Sequence, residues 1–177
     1  MRKIQRICQL AAVAVPLVSI QPNVVTPPVG SSFNVFVNVS SVADLFAFQF
    51  NITFNPNILS GVDVTEGSFL GGAGTTFFIR GTIDNTAGTI SFTSDSLIGL
   101  LTGVTGTGTL AEITFSALAQ GNSPINLSGV VLLDSGLNDI AFETAAGSVN
   151  PVQTAVAEPE SAVLVLLGLG VILWVRT

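Results

Sequence analysis

The chain contains no histidine and no tyrosine. Its one cysteine is Cys8 and its one lysine is Lys3, so nothing beyond residue 8 supplies a thiol or a side-chain amine. These absences remove the commonest general base and most activated nucleophiles. Zinc loses its usual nitrogen and sulfur ligands, and an intrachain disulfide is excluded. Positive charge is scarce as well. From Val15 to Ala157, nine acidic residues face a single base, Arg80. Such a surface repels phosphate backbones and excludes nucleic acid as a partner. Carboxylate-only catalysis, as in glycosidases, is the one enzymatic class left open. Asp63 with Glu66 and Asp134 with Asp139 are pairs close in sequence. Acidic loop residues are usually only solvated, and the chain reads as a non-enzyme.

What is present is apolar and strand-like. Apolar residues make up 48% of the sequence, too many for a disordered chain. Phe33, Val35, Val37 and Val39 alternate with Asn34, Phe36, Asn38 and Ser40. Phe46, Phe48, Phe50, Ile52 and Phe54 alternate with Ala47, Gln49, Asn51 and Thr53. A period of two places each set on one face of a sheet. A face carrying this many large side chains needs a second layer to bury it. Further strands are predicted at 18–21, 58–65, 76–83, 89–93, 107–118, 125–127, 130–133 and 146–149, with a hairpin loop over 84–88. No segment before the C-terminal tail shows a helical period. The predicted class is an all-β sandwich spanning 18–149. The glycine-rich stretches 71–74 and 99–108 read as loops or strand edges. No Gly-Lys-Ser/Thr follows either of them, so they do not read as phosphate cradles.

Both ends read as addresses. Arg2, Lys3 and Arg6 precede a mostly apolar run from Ile7 to Val18, and Ala12-Val13-Ala14 is a small-x-small cleavage candidate. This is the layout of a secretory signal peptide over 1–17. At the other end, a linker over 150–161 leads to an apolar run from Ala162 to Val175, followed by Arg176. Fourteen helical residues rise about 21 Å, less than the roughly 30 Å hydrocarbon core, so the run engages a bilayer and spans it only marginally. A buried core helix is the alternative. The order Ala157-Glu158-Pro159, apolar run, terminal Arg176 resembles the PEP-CTERM sorting signal. That resemblance implies processing by a membrane protease of the exosortase type. The implied location is membrane-tethered in transit, then cell surface or extracellular.

The middle of the chain carries a second resemblance. The stretches Pro28 to Ser40, Phe48 to Val62 with its Asn-Pro-Asn-Ile-Leu turn, and Gly108 to Leu118 resemble, in this order, the cohesin domain. Cohesins are nine-stranded jelly-roll sandwiches related in fold to certain carbohydrate-binding modules, and in cellulosomes they bind dockerin modules. The resemblance implies that fold here, and the apolar run after it adds a C-terminal helix to the expected architecture. It also implies a partner, either a surface protein or a polysaccharide. Cellulosomal cohesins tend to place Asn and Asp on the exposed side of the strand that meets dockerin; the matching positions are Ala47 and Gln49. The candidate partner-binding residues are therefore Ala47, Gln49 and Asn51, with Thr89, Ser91 and Thr93 on the neighbouring strand. A solvated strand face is the plain alternative for them. A carbohydrate-binding module is the second functional reading. Sugar platforms usually present Trp or Tyr, and the only Trp is Trp174 in the tail. No cofactor is assigned. Ca²⁺ has one candidate, the loop carrying Asp134, Asn138 and Asp139, whose oxygens suit a hard cation but lack dense Asp-x-Asp-x-Asp spacing.

Overall fold

A computed structural model describes residues 14–153. The sorting motif at Ala157, Glu158 and Pro159, the apolar run and Arg176 lie outside the described residues. The elements in chain order are β1 (Leu17–Gln21), β2 (Val24–Val25), β3 (Ser32–Thr53), β4 (Leu59–Glu66), α1 (Ser68–Gly71), β5 (Thr82–Asp84), β6 (Thr89–Ser96), β7 (Val104–Ala117), β8 (Ser123–Asp134), β9 (Glu143–Ala145) and β10 (Gly147–Val149). Among the described residues no helix is long and apolar enough to cross a membrane.

The organising element is β3, which runs for 22 residues. Its first half pairs with β1 on one side and β7 on the other. Its second half pairs with β6 and β8. The strand thus belongs to two layers. One is β9-β1-β3-β7-β4, and the other is β2-β10-β8-β3-β6-β5. The crossing lies where Ser41 and Asp44 take positive φ (55° and 57°) and the ladder to β7 slips between Val39 and Leu45. Such bulges bend a strand and increase its twist. The sequence predicts two strands here, because alternation fails between Ser40 and Phe46.

The core fills the space between the layers. Val35, Val37, Val39, Ile113 and Phe115 come from the first layer, and Phe48, Phe50, Ile52, Ile90 and Leu132 from the second; all are buried. Phe115 joins the two, stacking on Phe33 (6.1 Å) and meeting Phe54 edge-on (5.2 Å). Aromatic pairs of this geometry contribute about 0.5–1.5 kcal/mol beyond area burial.

Local chemistry explains the turns. Asn55 Oδ1 accepts the Asn57 N–H and the Asn55 carbonyl accepts the Leu59 N–H, closing the Asn-Pro-Asn turn. In the β5–β6 hairpin, Asp84 Oδ1 accepts the N–H groups of Thr86 and Ala87. Gly88 closes that loop at φ 68°, where an added Cβ would lie 2.3 Å from the Phe54 carbonyl oxygen.

Several expectations are corrected. Alternation marks ten segments and the resemblance implies nine strands; the structure has ten, but β2 and β9, too short to show a period, were not among the predicted ones. The predicted strand over 76–83 is reduced to β5 plus isolated bridges at Thr76 and Ile79, since Gly81 turns the chain at φ 78°. Strands 125–127 and 130–133 are one strand, β8, carrying a bulge at Gly129 (φ 55°). A single helical turn, α1, sits where no helix was expected. Leu17, placed in the leader by the sequence, pairs with Ser40 and Glu143. Phe46 is only half-buried: the register shifts between Leu45 and Ala47, and Leu45 takes the core position.

Candidate functional site

The outer face of β8-β3-β6 presents two rows of side chains. Ala47 of β3 lies opposite Leu133 of β8 and Ser96 of β6. Gln49 lies opposite Val131 and Ser94. The segment beyond β6 extends both rows. Phe77 N–H donates to the Ser96 carbonyl (2.9 Å), and Ile79 N–H donates to the Ser94 carbonyl (2.8 Å). One row is therefore Leu133, Ala47, Ser96, Phe77; the other is Val131, Gln49, Ser94, Ile79. Ala47, Ser96 and Ser94 in the middle are small, Gln49 is the one long polar side chain among them, and large apolar residues form the margins, so the face is a trough rather than a plateau. The groove encloses about 290 Å³. Phe77 is 62% exposed on its rim. Its one ionisable lining residue is Asp95, whose side chain is buried.

Not all the candidate residues meet there. Ala47 and Gln49 do. Asn51 is a positioning residue: its Oδ1 accepts the Phe92 N–H at 2.7 Å. Ser91 and Phe92 bulge out opposite it, with Phe92 at φ 61° and 53% exposed. Thr89 lies opposite Thr53, on the far side of this bulge from the groove, and Ser91 is exposed within the bulge. Thr93 is a correction. It is fully buried, and its Oγ1 donates to the Arg80 carbonyl at 3.2 Å. The extra residue of the bulge reverses which alternate residues face out, so Ser94 and Ser96 occupy the outer face instead of Thr93. Ile79, Val131 and Leu133 were missed by sequence reasoning, whereas Phe77 was legible as an outward-facing aromatic. The Phe77-Phe78 pair breaking its alternation was the available signal.

The Ca²⁺ candidate loop is closed by its own hydrogen bonds. Asp134 Oδ1 accepts the N–H groups of Gly136 (2.8 Å) and Asn138 (2.9 Å), and Asn138 Nδ2 donates to both carboxylate oxygens at 3.1 Å. Asn138 thus offers its amide hydrogens, rather than its oxygen, where a cation would sit. Asp139 is exposed and bridges back to Leu133 through the backbone. The bonds from Asn138 hold the Asp134 carboxyl below its ordinary value. Asp44 behaves alike: its carboxylate accepts Ser135 Oγ–H (2.7 Å) and the Gly103 N–H (2.7 Å). The Ser135 bond is the first cause of its lowered pKa. Asp44 thereby ties the loops 98–103 and 134–139 together at one end of the sandwich. Among the described residues, no group of three or more acidic, His or Cys side chains is placed to hold a metal.

No curated protein matches the sequence. Solved structures do match in fold. A non-cellulosomal cohesin from the archaeon Archaeoglobus fulgidus is 17% identical, with a TM-score of 0.64 over 79% of this chain and 93% of that one. The type I Coh-OlpA–Doc918 cohesin–dockerin complex from Clostridium thermocellum matches at 15% identity and a TM-score of 0.64, covering 78% of this chain and 100% of that one. A type II cohesin from Acetivibrio cellulolyticus matches at 19% identity and 0.64, covering 77% and 96%. The cohesin-domain family model matches residues 18–150, the whole of the sandwich, and the chain belongs to the cohesin-domain family.

Proposed function

We propose that the chain is an exported, non-enzymatic surface or extracellular-matrix protein that binds a macromolecular partner through the β8-β3-β6 groove. One observation carries this reading: two aligned rows with small or polar centres and apolar margins. Such a trough receives apolar side chains from a protein partner, and its affinity would come from a few packed contacts. In cohesins the corresponding face meets dockerin. Where cellulosomal cohesins tend to place Asn and Asp, this chain has Ala47 and Gln49; one hydrogen-bonding group is lost and one kept, so the partner here meets a less polar face. The leader and the tail supply the address. An exosortase-type protease reads Ala157-Glu158-Pro159, the apolar run and Arg176, with the membrane engaged in transit.

Carbohydrate binding is the second reading, and Phe77 on the groove rim favours it. Against it, the described residues include neither Trp nor Tyr. Retention on immobilised type I and type II dockerin modules, on surface extract of the source organism and on insoluble polysaccharide separates the two. The expected result is a retained protein whose affinity drops at least about tenfold in the Gln49→Arg/Ser94→Arg variant. Retention on polysaccharide alone favours the second reading. Hydrolysis of the polysaccharide overturns the non-enzyme reading.

A further inference from the structure

Asp95 is a buried acid with no base to meet. It lies on the inner side of β6, 3% exposed, between the groove residues Ser94 and Ser96. Its Oδ1 accepts the Ser96 N–H at 2.8 Å. Its Oδ2 is fully buried and has no hydrogen-bond partner. The charged group it faces is a second carboxylate, Glu66 at the end of β4, within hydrogen-bonding reach. Arg80, the one base among the described residues, is engaged 3.1 Å from Asp63. Burying a carboxylate beside another is costly unless something neutralises the pair. Burial first, and Glu66 second, push the Asp95 carboxyl up to about 7.

A third oxygen meets Glu66. Thr76 Oγ–H donates to Glu66 Oε1 at 2.7 Å. Gly71, ending α1, leaves room for that carboxylate: a Cβ there would lie 2.7 Å from Oε1. Glu66 itself is exposed, so the pair has one member at the surface and one buried. All the converging side-chain donors are oxygen, the choice of a hard cation.

We propose that Asp95, Glu66 and Thr76 form a binding site for a hard divalent cation of the Ca²⁺ class, fastening the 72–79 segment to β6. Two carboxylates and a hydroxyl leave the remaining coordination to water, so the affinity is that of an extracellular module, with a Kd of about 0.1–1 mM. This site is separate from the 134–139 loop and does not depend on the partner reading. Because Phe77 and Ile79 ride on the fastened segment, occupancy firms one wall of the groove.

The test is Ca²⁺ titration of the chelator-stripped full chain slightly above neutral pH, read by calorimetry and by thermal melting. The expected result is one site and a Tm rise of about 4–7 °C at tenfold excess over Kd. Asp95→Asn and Glu66→Gln each abolish the rise, whereas Asp134→Asn keeps it. Glu66 is exposed, so Glu66→Gln decides the matter if Asp95→Asn does not fold. A wild-type chain that gains stability on acidification but ignores Ca²⁺ shows that a proton alone holds the pair, and overturns the proposal. So does a Ca²⁺ response that survives Glu66→Gln, or one lost in Asp134→Asn.

Discussion

Phe46 and Phe50 look equivalent in the sequence and are not equivalent in the fold, which makes them a sharp pair to mutate. Both belong to one alternating set of apolar residues. Phe50 is 1% exposed and stacks on Phe48 with ring centroids 5.8 Å apart. Phe46 is half-buried beside the bulge, and Leu45 fills the core position it would otherwise hold. Truncating a fully buried Phe removes its transfer free energy and leaves a cavity, so Phe50→Ala costs about 3–5 kcal/mol. Phe46→Ala loses part of the transfer contribution and leaves no closed cavity, so it costs about 1–2 kcal/mol. Against a total stability of roughly 5–15 kcal/mol, the first variant is close to unfolding and the second is not. Urea denaturation of both variants, with unchanged m-values, reads the difference directly. Equal losses near 3–5 kcal/mol would mean that the alternation runs unbroken and that the bulge at Leu45–Ala47 is wrong.

Other expectations follow from single groups. In chelator, stability falls as pH rises from about 4 to about 7. The ordinary carboxyl value is 3.8, and the folded protein holds the Asp95 proton up to about 7. The stabilisation is therefore complete below about pH 4 and is lost through the folded pKa, amounting to about 2–4 kcal/mol; Asp95→Asn should flatten that profile in urea melts at several pH values. Asp44→Ala removes the tie between loops 98–103 and 134–139. Amide exchange should then speed at Gly103 and Ser135, whose N–H groups Asp44 accepts, while exchange at Phe50 stays unchanged.

The sandwich was legible in the sequence because period-two alternation survives wherever strands are long. That Val35, Val37 and Val39 share one buried face, and Phe48 and Phe50 another, needed no more than that. What alternation could not show is where it slips. The bulge opposite Asn51 adds one residue, sends Thr93 inward and brings Ser94 outward, and no residue in Ser91-Phe92-Thr93 is a glycine to announce it. The joining of residues 33–40 and 46–54 into one strand was hidden for the same reason: Ser41 and Asp44 absorb the turn with positive φ. The groove was half legible. Ala47 and Gln49 came from the resemblance to cohesins, but Val131 and Leu133 depend on which strands neighbour β3, a long-range fact. The Asp95–Glu66 pair is invisible in one dimension, since 29 positions separate its members.

Site-specific photocrosslinking tests the central claim most directly. A photoreactive residue is placed at Ser94, in the groove, or at Thr65, exposed on the opposite layer. Each protein is irradiated with surface extract of the source organism, and adducts are resolved by mass. The account predicts a discrete protein adduct at Ser94, competed by unlabelled wild-type chain and absent at Thr65. Adducts at Thr65 alone, or equal and uncompeted adducts at both positions, would contradict it.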